Sequence, residues 1–123
     1  MRRRTRQFGL RVIELVESLP RGRTADVLGG QLLRAGTAVG ANYRAACRAK
    51  SPADFISKMG TVEEELDESM HWLEMLVESR IVPSDGVKGL MQECDELLAI
   101  TVSSINTARG KKRGKGSRPS ARA

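Results

Sequence analysis

The sequence predicts an all-α fold, an antiparallel up-down four-helix bundle. Three observations carry this. Four segments repeat apolar side chains at helical spacing, short breaks containing proline or glycine separate them, and no segment alternates apolar and polar residues as a strand would. A chain of 123 residues suits one domain with one modest core. Aromatic residues make up only 3% of it, so Leu, Val, Ile, Met and Ala must build that core.

The first segment runs from about Arg6 to Leu19. It places Phe8, Val12, Leu15, Val16 and Leu19 on one face, and Pro20-Arg21-Gly22 ends it. The second runs from about Thr24, a capping residue type, to Lys50. Its core face holds Ala25, Leu28, Leu32, Leu33, Ala35, Val39, Tyr43 and Cys47, with Gly29, Gly36 and Gly40 on the same side. Each interior glycine costs roughly 1 kcal/mol against alanine. This helix therefore needs tertiary packing, and the aligned glycines predict close approach of another helix.

The third segment has the clearest start. Ser51-Pro52-Ala53-Asp54 supplies a cap, a proline at the first helical position and an acid where the macrodipole favours one. Phe55, Met59, Val62, Leu66, Met70, Leu73 and Val77 form its stripe, and Ile81 to Gly86 is the next break. The fourth carries Val87, Leu90, Met91, Cys94, Leu97, Leu98, Thr101, Val102 and Ile105, and Gly110 ends it. Cys47 and Cys94 lack metal spacing and fall on apolar stripes, so both read as reduced core thiols.

Charge divides the chain into three parts. Residues 1–6 form a basic N-terminal tail with Arg2, Arg3, Arg4 and Arg6 and no acid. Residues 109–123 form a second basic tail, expected to be disordered, with Arg109, Lys111, Lys112, Arg113, Lys115, Arg118 and Arg122. The bundle between them, 7–108, holds ten basic against fifteen acidic residues. The net charge of +6 therefore belongs to the tails. No apolar run of spanning length exists, and Arg11 and Glu14 interrupt any signal-peptide segment after the first arginines. A cytoplasmic protein with no membrane contact is expected.

The stretch Gln31-Leu32-Leu33-Arg34-Ala35-Gly36-Thr37-Ala38-Val39-Gly40-Ala41-Asn42-Tyr43-Arg44, followed by Ser51-Pro52-Ala53-Asp54-Phe55 and Glu64-Glu65-Leu66-Asp67-Glu68-Ser69, resembles the four-helix bundle proteins encoded in intervening sequences of large-subunit ribosomal RNA genes. The resemblance spans about residues 7 to 106. It implies a ring-shaped homopentamer. It also implies kinship with the accessory variability determinants of diversity-generating retroelements, a basic pentameric branch that binds nucleic acid and a reverse transcriptase. The family commonly has Glu-Gly two positions after its Ala-Asn pair. Ala45-Ala46 stand there in this chain, so no role of that acid carries over. Asn42 matches the pattern, and a helix–helix hydrogen bond is the role expected of it.

No arrangement for catalysis emerges. There is no phosphate-loop glycine pattern, no Ser–His pairing and no zinc spacing. Glu68 and His71 form the Glu-x-x-His of di-iron bundles, but His71 is the single histidine and both residues lie off the apolar stripe. The carboxylates Glu63, Asp67, Glu74 and Glu78 read as a solvated or ion-paired flank. The expectation is a non-enzyme without metal, cofactor or small-molecule substrate.

Binding surfaces are better supported. Leu10, Ile13, Trp72 and Met75 lie off the core faces and are candidates for an oligomer interface. Arg34, Arg44 and Arg48 fall within about 80° of one another around the second helix. They can contact phosphate or pair with the acidic third helix, and the charge balance favours pairing. Residues 21–50 hold six basic and one acidic residue, and 51–80 hold two basic and eight acidic. The arginines and lysines of the two tails are the stronger candidates for binding RNA or DNA by counterion release. No aromatic residue is interleaved among them, so base stacking is not expected.

Overall fold

The structure is a computed structural model, and it describes residues 1–110. Four α-helices run in order: α1 (Arg2–Glu17), α2 (Arg23–Cys47), α3 (Pro52–Glu78) and α4 (Lys88–Ala108), with one 3-10 turn at Ser84–Gly86 before the last. No strand occurs among the described residues. Each helix packs on its sequence neighbour, and α1 also meets α4, where packing is lightest. The result is a four-helix bundle. Its up-down course brings the start of α1, the end of α2, the start of α3 and the end of α4 to one end.

One apolar core joins all four helices. Phe8 and Val12 enter it from α1, Leu32 and Val39 from α2, Met59, Val62, Leu66 and Leu73 from α3, and Cys94 and Leu97 from α4, all with no exposed surface. Buried polar groups are satisfied within their own helices or next door. Ser69 Oγ donates to the Glu65 carbonyl (2.8 Å), Thr101 Oγ1 to that of Leu97 (2.7 Å) and Cys94 Sγ to that of Leu66 (3.2 Å).

The glycines of α2 are where α1 comes close. A Cβ on Gly36 would sit 2.7 Å from Val12 Cγ2, and one on Gly29 would sit 2.8 Å from Leu19 Cδ1. Gly9 faces the same seam from α1, where a Cβ would stand 3.6 Å from the Gly36 carbonyl oxygen. Gly40 continues the seam beside the Thr5 backbone. The helical cost of these glycines is offset by packing that side chains would block.

Several expectations are corrected. The basic stretch 1–6 is not a tail, because α1 begins at Arg2. Thr5 is buried against α2, and Arg4 is held by Glu93 and Glu96 on α4. Long-range partners thus make a helix of residues whose local pattern shows only charge. Gly22, not Thr24, caps α2, with φ 155° and ψ 154°. Only glycine takes that backbone readily. Cys47 is exposed, because α2 ends there and Ala46 takes the core position of the last turn. On α3, Leu76 is buried where Val77 was expected, and Val102 on α4 is 40% exposed. Asn42 donates its amide to the Ala38 carbonyl in its own helix (2.9 Å), not to another helix. Beyond Gly110, the expected C-terminal tail lies outside the described residues.

Other boundaries follow local chemistry. Ser51 Oγ accepts from Asp54 N–H at 3.1 Å, with Pro52 in the first turn. At the end of α3, Ile81 N–H bonds the Leu76 carbonyl (3.0 Å) and Arg80 N–H that of Val77 (2.9 Å), which is a Schellman motif. The left-handed position, φ 65°, is filled by Arg80 rather than glycine. Gly110 occupies the same kind of position after α4, with φ 77°.

Three substitutions test this description in thermal melts. Gly36→Leu should destabilise by about 3 kcal/mol or more, because Val12 cannot retreat within the core. Gly30 is exposed on the same helix with nothing near a Cβ, so Gly30→Ala should stabilise by about 0.5–1 kcal/mol. A neutral Gly36→Leu would rule out the tight seam. Arg80→Gly should raise stability by about 1 kcal/mol through relief of the left-handed backbone, and an unchanged melting temperature would show that Arg80 is not strained.

Candidate nucleic-acid interface

The arginines expected to bind nucleic acid have different fates. Arg4 projects from the first turn of α1 toward α4. Its Nη2 lies 2.7 Å from Glu93 Oε1 and 2.8 Å from Glu96 Oε1, and its Nε is 3.0 Å from Glu93 Oε2. These two charge-assisted bonds to Glu93 form a planar fork, the geometry for which guanidinium is suited. The Arg4 guanidinium, bonded to Glu93 and Glu96, holds its proton more tightly than usual. The same bond keeps the Glu93 carboxyl below the usual glutamate range.

Arg34 is also neutralised within the chain. It bonds Glu68 and reaches Glu65 Oε1 at 3.5 Å, so α2 and α3 are bridged by charge outside the core. Glu68 in turn accepts the Trp72 indole N–H at 3.1 Å. Trp72 is therefore half-buried, packed against the core and tied to its own helix, with His71 edge-on at a ring separation of 4.7 Å. Two of the three carboxylate bonds of this network, those from Arg34 and Trp72 to Glu68, occupy the glutamate of the Glu-x-x-His pair.

Four arginines remain together. Arg2 and Arg6 on α1, with Arg44 and Arg48 on α2, line an open groove of about 630 Å³ whose other walls are Thr5, Gly40 and Ala41. No carboxylate lines it, and among the described residues none forms an ion pair with these four side chains. All four are exposed. Tyr43 lies on the inner side of this region, packed against the core; burial, and then a bond with Cys47, push its hydroxyl pKa upward. Arg3 is exposed on α1, and Arg109 is exposed at the end of α4. Lys111, Lys112, Arg113, Lys115, Arg118 and Arg122 lie outside the described residues.

The apolar candidates are separated. Leu10 (47% exposed) and Ile13 (38%) project from α1, and Met75 (38%) from α3. Val27 on α2 is more exposed than any of these, at 57%, and was not anticipated. Its signal was present: it is an apolar residue on the face of α2 opposite Gly29, Gly36 and Gly40. The groove itself was missed because Arg2 and Arg6 read as tail. The described residues hold no cluster of metal-ligating side chains, and none of their helices is long and apolar enough to cross a membrane. Cys94 is buried, and burial, followed by nearby carboxylates, pushes its thiol up to about 12.

Architecture and groove define a small all-α four-helix bundle with an unneutralised arginine cluster. The chain belongs to the 23S rRNA-intervening sequence protein family, whose model matches residues 1–103. It is similar to the crystal structure of a protein with unknown function from the S23 ribosomal protein family of Bacteroides thetaiotaomicron. The two share 30% identity and a TM-score of 0.80, over 85% of this chain and 96% of the other. No curated protein matches the sequence.

The Arg4–Glu93 pair sets a pH dependence. A carboxyl whose pKa is lowered by folding adds stability above its unfolded value, and that stability is lost as pH falls through the folded pKa. Acidification below the ordinary glutamate value of 4.5 should therefore lower the melting temperature of the native chain more than that of Glu93→Gln. The difference should correspond to about 1 kcal/mol or less, since the pair is partly solvated. Parallel declines in circular-dichroism melts from neutral pH to pH ~3 would show that the pair contributes nothing.

Proposed function

We propose that this protein is a non-enzymatic, oligomeric accessory protein that binds RNA or DNA. One observation carries the reading: cationic side chains gather at one end of the bundle. Arg2, Arg6, Arg44 and Arg48 share a groove there without carboxylates. The up-down course of the helices brings Arg109 to the same end, and the sequence beyond Gly110 adds six basic residues and no acidic side chain. An acidic body with one cationic end orients on a polyanion, and binding by counterion release needs no base readout. In its sharpest form the reading makes the protein an accessory variability determinant. It would hold RNA or DNA beside the reverse transcriptase of a diversity-generating retroelement. A ring of several copies would multiply weak contacts into avidity.

The exposed Leu10 and Ile13, neighbours three residues apart on α1, support a second reading, a ring-shaped scaffold for protein partners with no nucleic-acid role. In either case the family resemblance leads to a homopentamer as the working unit.

Titration of labelled RNA and DNA across salt concentrations separates the two. For the nucleic-acid reading, affinity should fall linearly with salt on logarithmic axes, and a chain ending at Ala108 should show weaker binding. The slope should be shallower by up to about 6 for a duplex, if all seven removed cations touch phosphate. Absence of salt-dependent binding by the full chain would favour the scaffold. Light scattering at micromolar concentration should give a pentamer mass, and a monomer would remove both ring readings.

A further inference from the structure

We infer that the groove between α1 and α2 is a binding site for the sugar-phosphate backbone of single-stranded nucleic acid, one strand lying between two rows of guanidinium groups. The inference rests on the nucleic-acid reading above and assigns its strand class and its site.

The rows come from helical spacing. Arg2 and Arg6 are four residues apart on α1, and Arg44 and Arg48 are four apart on α2. Each pair therefore spans one turn, about 6 Å along its axis. The helices are brought together by the glycine seam, and the floor between the rows is Thr5, Gly40 and Ala41. Small floor residues leave the space between the two rows of guanidinium groups open to a ligand backbone. Guanidinium binds phosphate oxygens with paired N–H groups, and its charge does not titrate. Arg4 and Arg34 show what happens where carboxylates are in reach: each pairs with two of them. The four groove arginines have no such partner among the described residues and are available to a ligand anion.

Shape selects a single strand. Proteins that read a duplex push a helix, strand pair or loop into its grooves, whereas single-strand binders track one backbone with a positively charged groove. A single flexible backbone that enters between the rows can meet guanidinium groups from both helices at once, whereas a wide, rigid duplex lies across the rows from outside. No aromatic residue lines the groove, and Tyr43 is turned toward the core, so bases are not stacked and sequence is not read.

The test uses the full chain with Arg44→Gln/Arg48→Gln, which leaves both termini intact. Binding of fluorescein-labelled oligo(dT), oligo(U) and a mixed-sequence duplex is measured against salt by anisotropy. The two substitutions should weaken single-strand binding at least tenfold at low salt. They should make the salt slope shallower by about 1.4, two contacts at about 0.7 each. Duplex affinity should change less than threefold. Arg44→Lys/Arg48→Lys should keep the slope and lose part of the affinity, which separates charge from paired hydrogen bonding. Melting curves for both variants check that the bundle is intact, and Arg6→Gln repeats the test from α1 if the α2 variant unfolds. Unchanged single-strand affinity and slope, with the full chain still binding, would overturn the groove and leave the broader reading standing. Equal losses for duplex and single strand would overturn the strand assignment. A change of oligomer mass without a change in nucleic-acid binding would assign the arginines to a second copy instead. A full chain that binds neither probe would overturn the broader reading and the groove together.

Discussion

The close contact of α1 with α2 is the constraint on which the rest of the molecule depends. Gly36 leaves space that Val12 fills, and Gly9 and Gly40 keep the two backbones near each other on either side. With side chains at these positions the helices would stand further apart. Val12 and Phe8 would lose their places in the core, and the first turn of α1 would lose its contact with α2. The glycines lower the intrinsic stability of α2, so its helical form depends on the packing they permit. The same contact sets Arg2 and Arg6 beside Arg44 and Arg48. One packing constraint thus produces both the core at one level of the bundle and the groove at the next.

Charge is organised by what each arginine can reach. Arg4 and Arg34 lie where a neighbouring helix offers glutamates, and they bridge helices: α1 to α4 in one case, α2 to α3 in the other. These bridges lie at the edge of the core, partly solvated, and specify which faces meet more than they add stability. The bridge at Arg4 matters most for position, because α1 packs lightly on α4. Arg2, Arg6, Arg44 and Arg48 lie at an end where no glutamate faces them. On α3, Glu65 and Glu68 are held by Arg34, Asp54 by Lys58, and Glu63, Glu64 and Asp67 line a recess of their own, so none of them reaches the four arginines of the groove. An acidic body with a cationic pole has a direction, and a chain with the same net charge spread evenly would not.

Much of the architecture was legible in the sequence because helix periodicity is a local property. Phe8, Val12, Leu32, Val39, Leu66, Leu73, Cys94 and Leu97 are buried as their spacing requires, and Ser51-Pro52 begins α3. The glycines of α2 also announced a close approach, though not which helix would make it. Errors concentrate at ends and edges. Cys47 is on the expected stripe but at the last helical residue, where its neighbour Ala46 takes the buried position instead. Val77 and Leu76 are adjacent, and the choice between them depends on a rotation of α3 that periodicity leaves open by a residue. At Gly22 a backbone conformation, not a capping side chain, decides where α2 starts.

The sequence by itself determined the number of helices, most of their buried faces, the want of an aromatic core and the excess of basic residues near both ends of the chain. These follow from residue spacing and composition, which act over a few turns. Only the tertiary structure decided that Arg2 to Arg6 are helical, that Arg4 and Arg34 are neutralised, that Trp72 is tied to Glu68 and that four arginines from two helices share one groove. The physical reason is that an arginine's role depends on whether a carboxylate lies within a few ångströms. For residues forty or ninety positions apart, that distance is set by packing and by the glycines that let two helices touch, not by any local pattern.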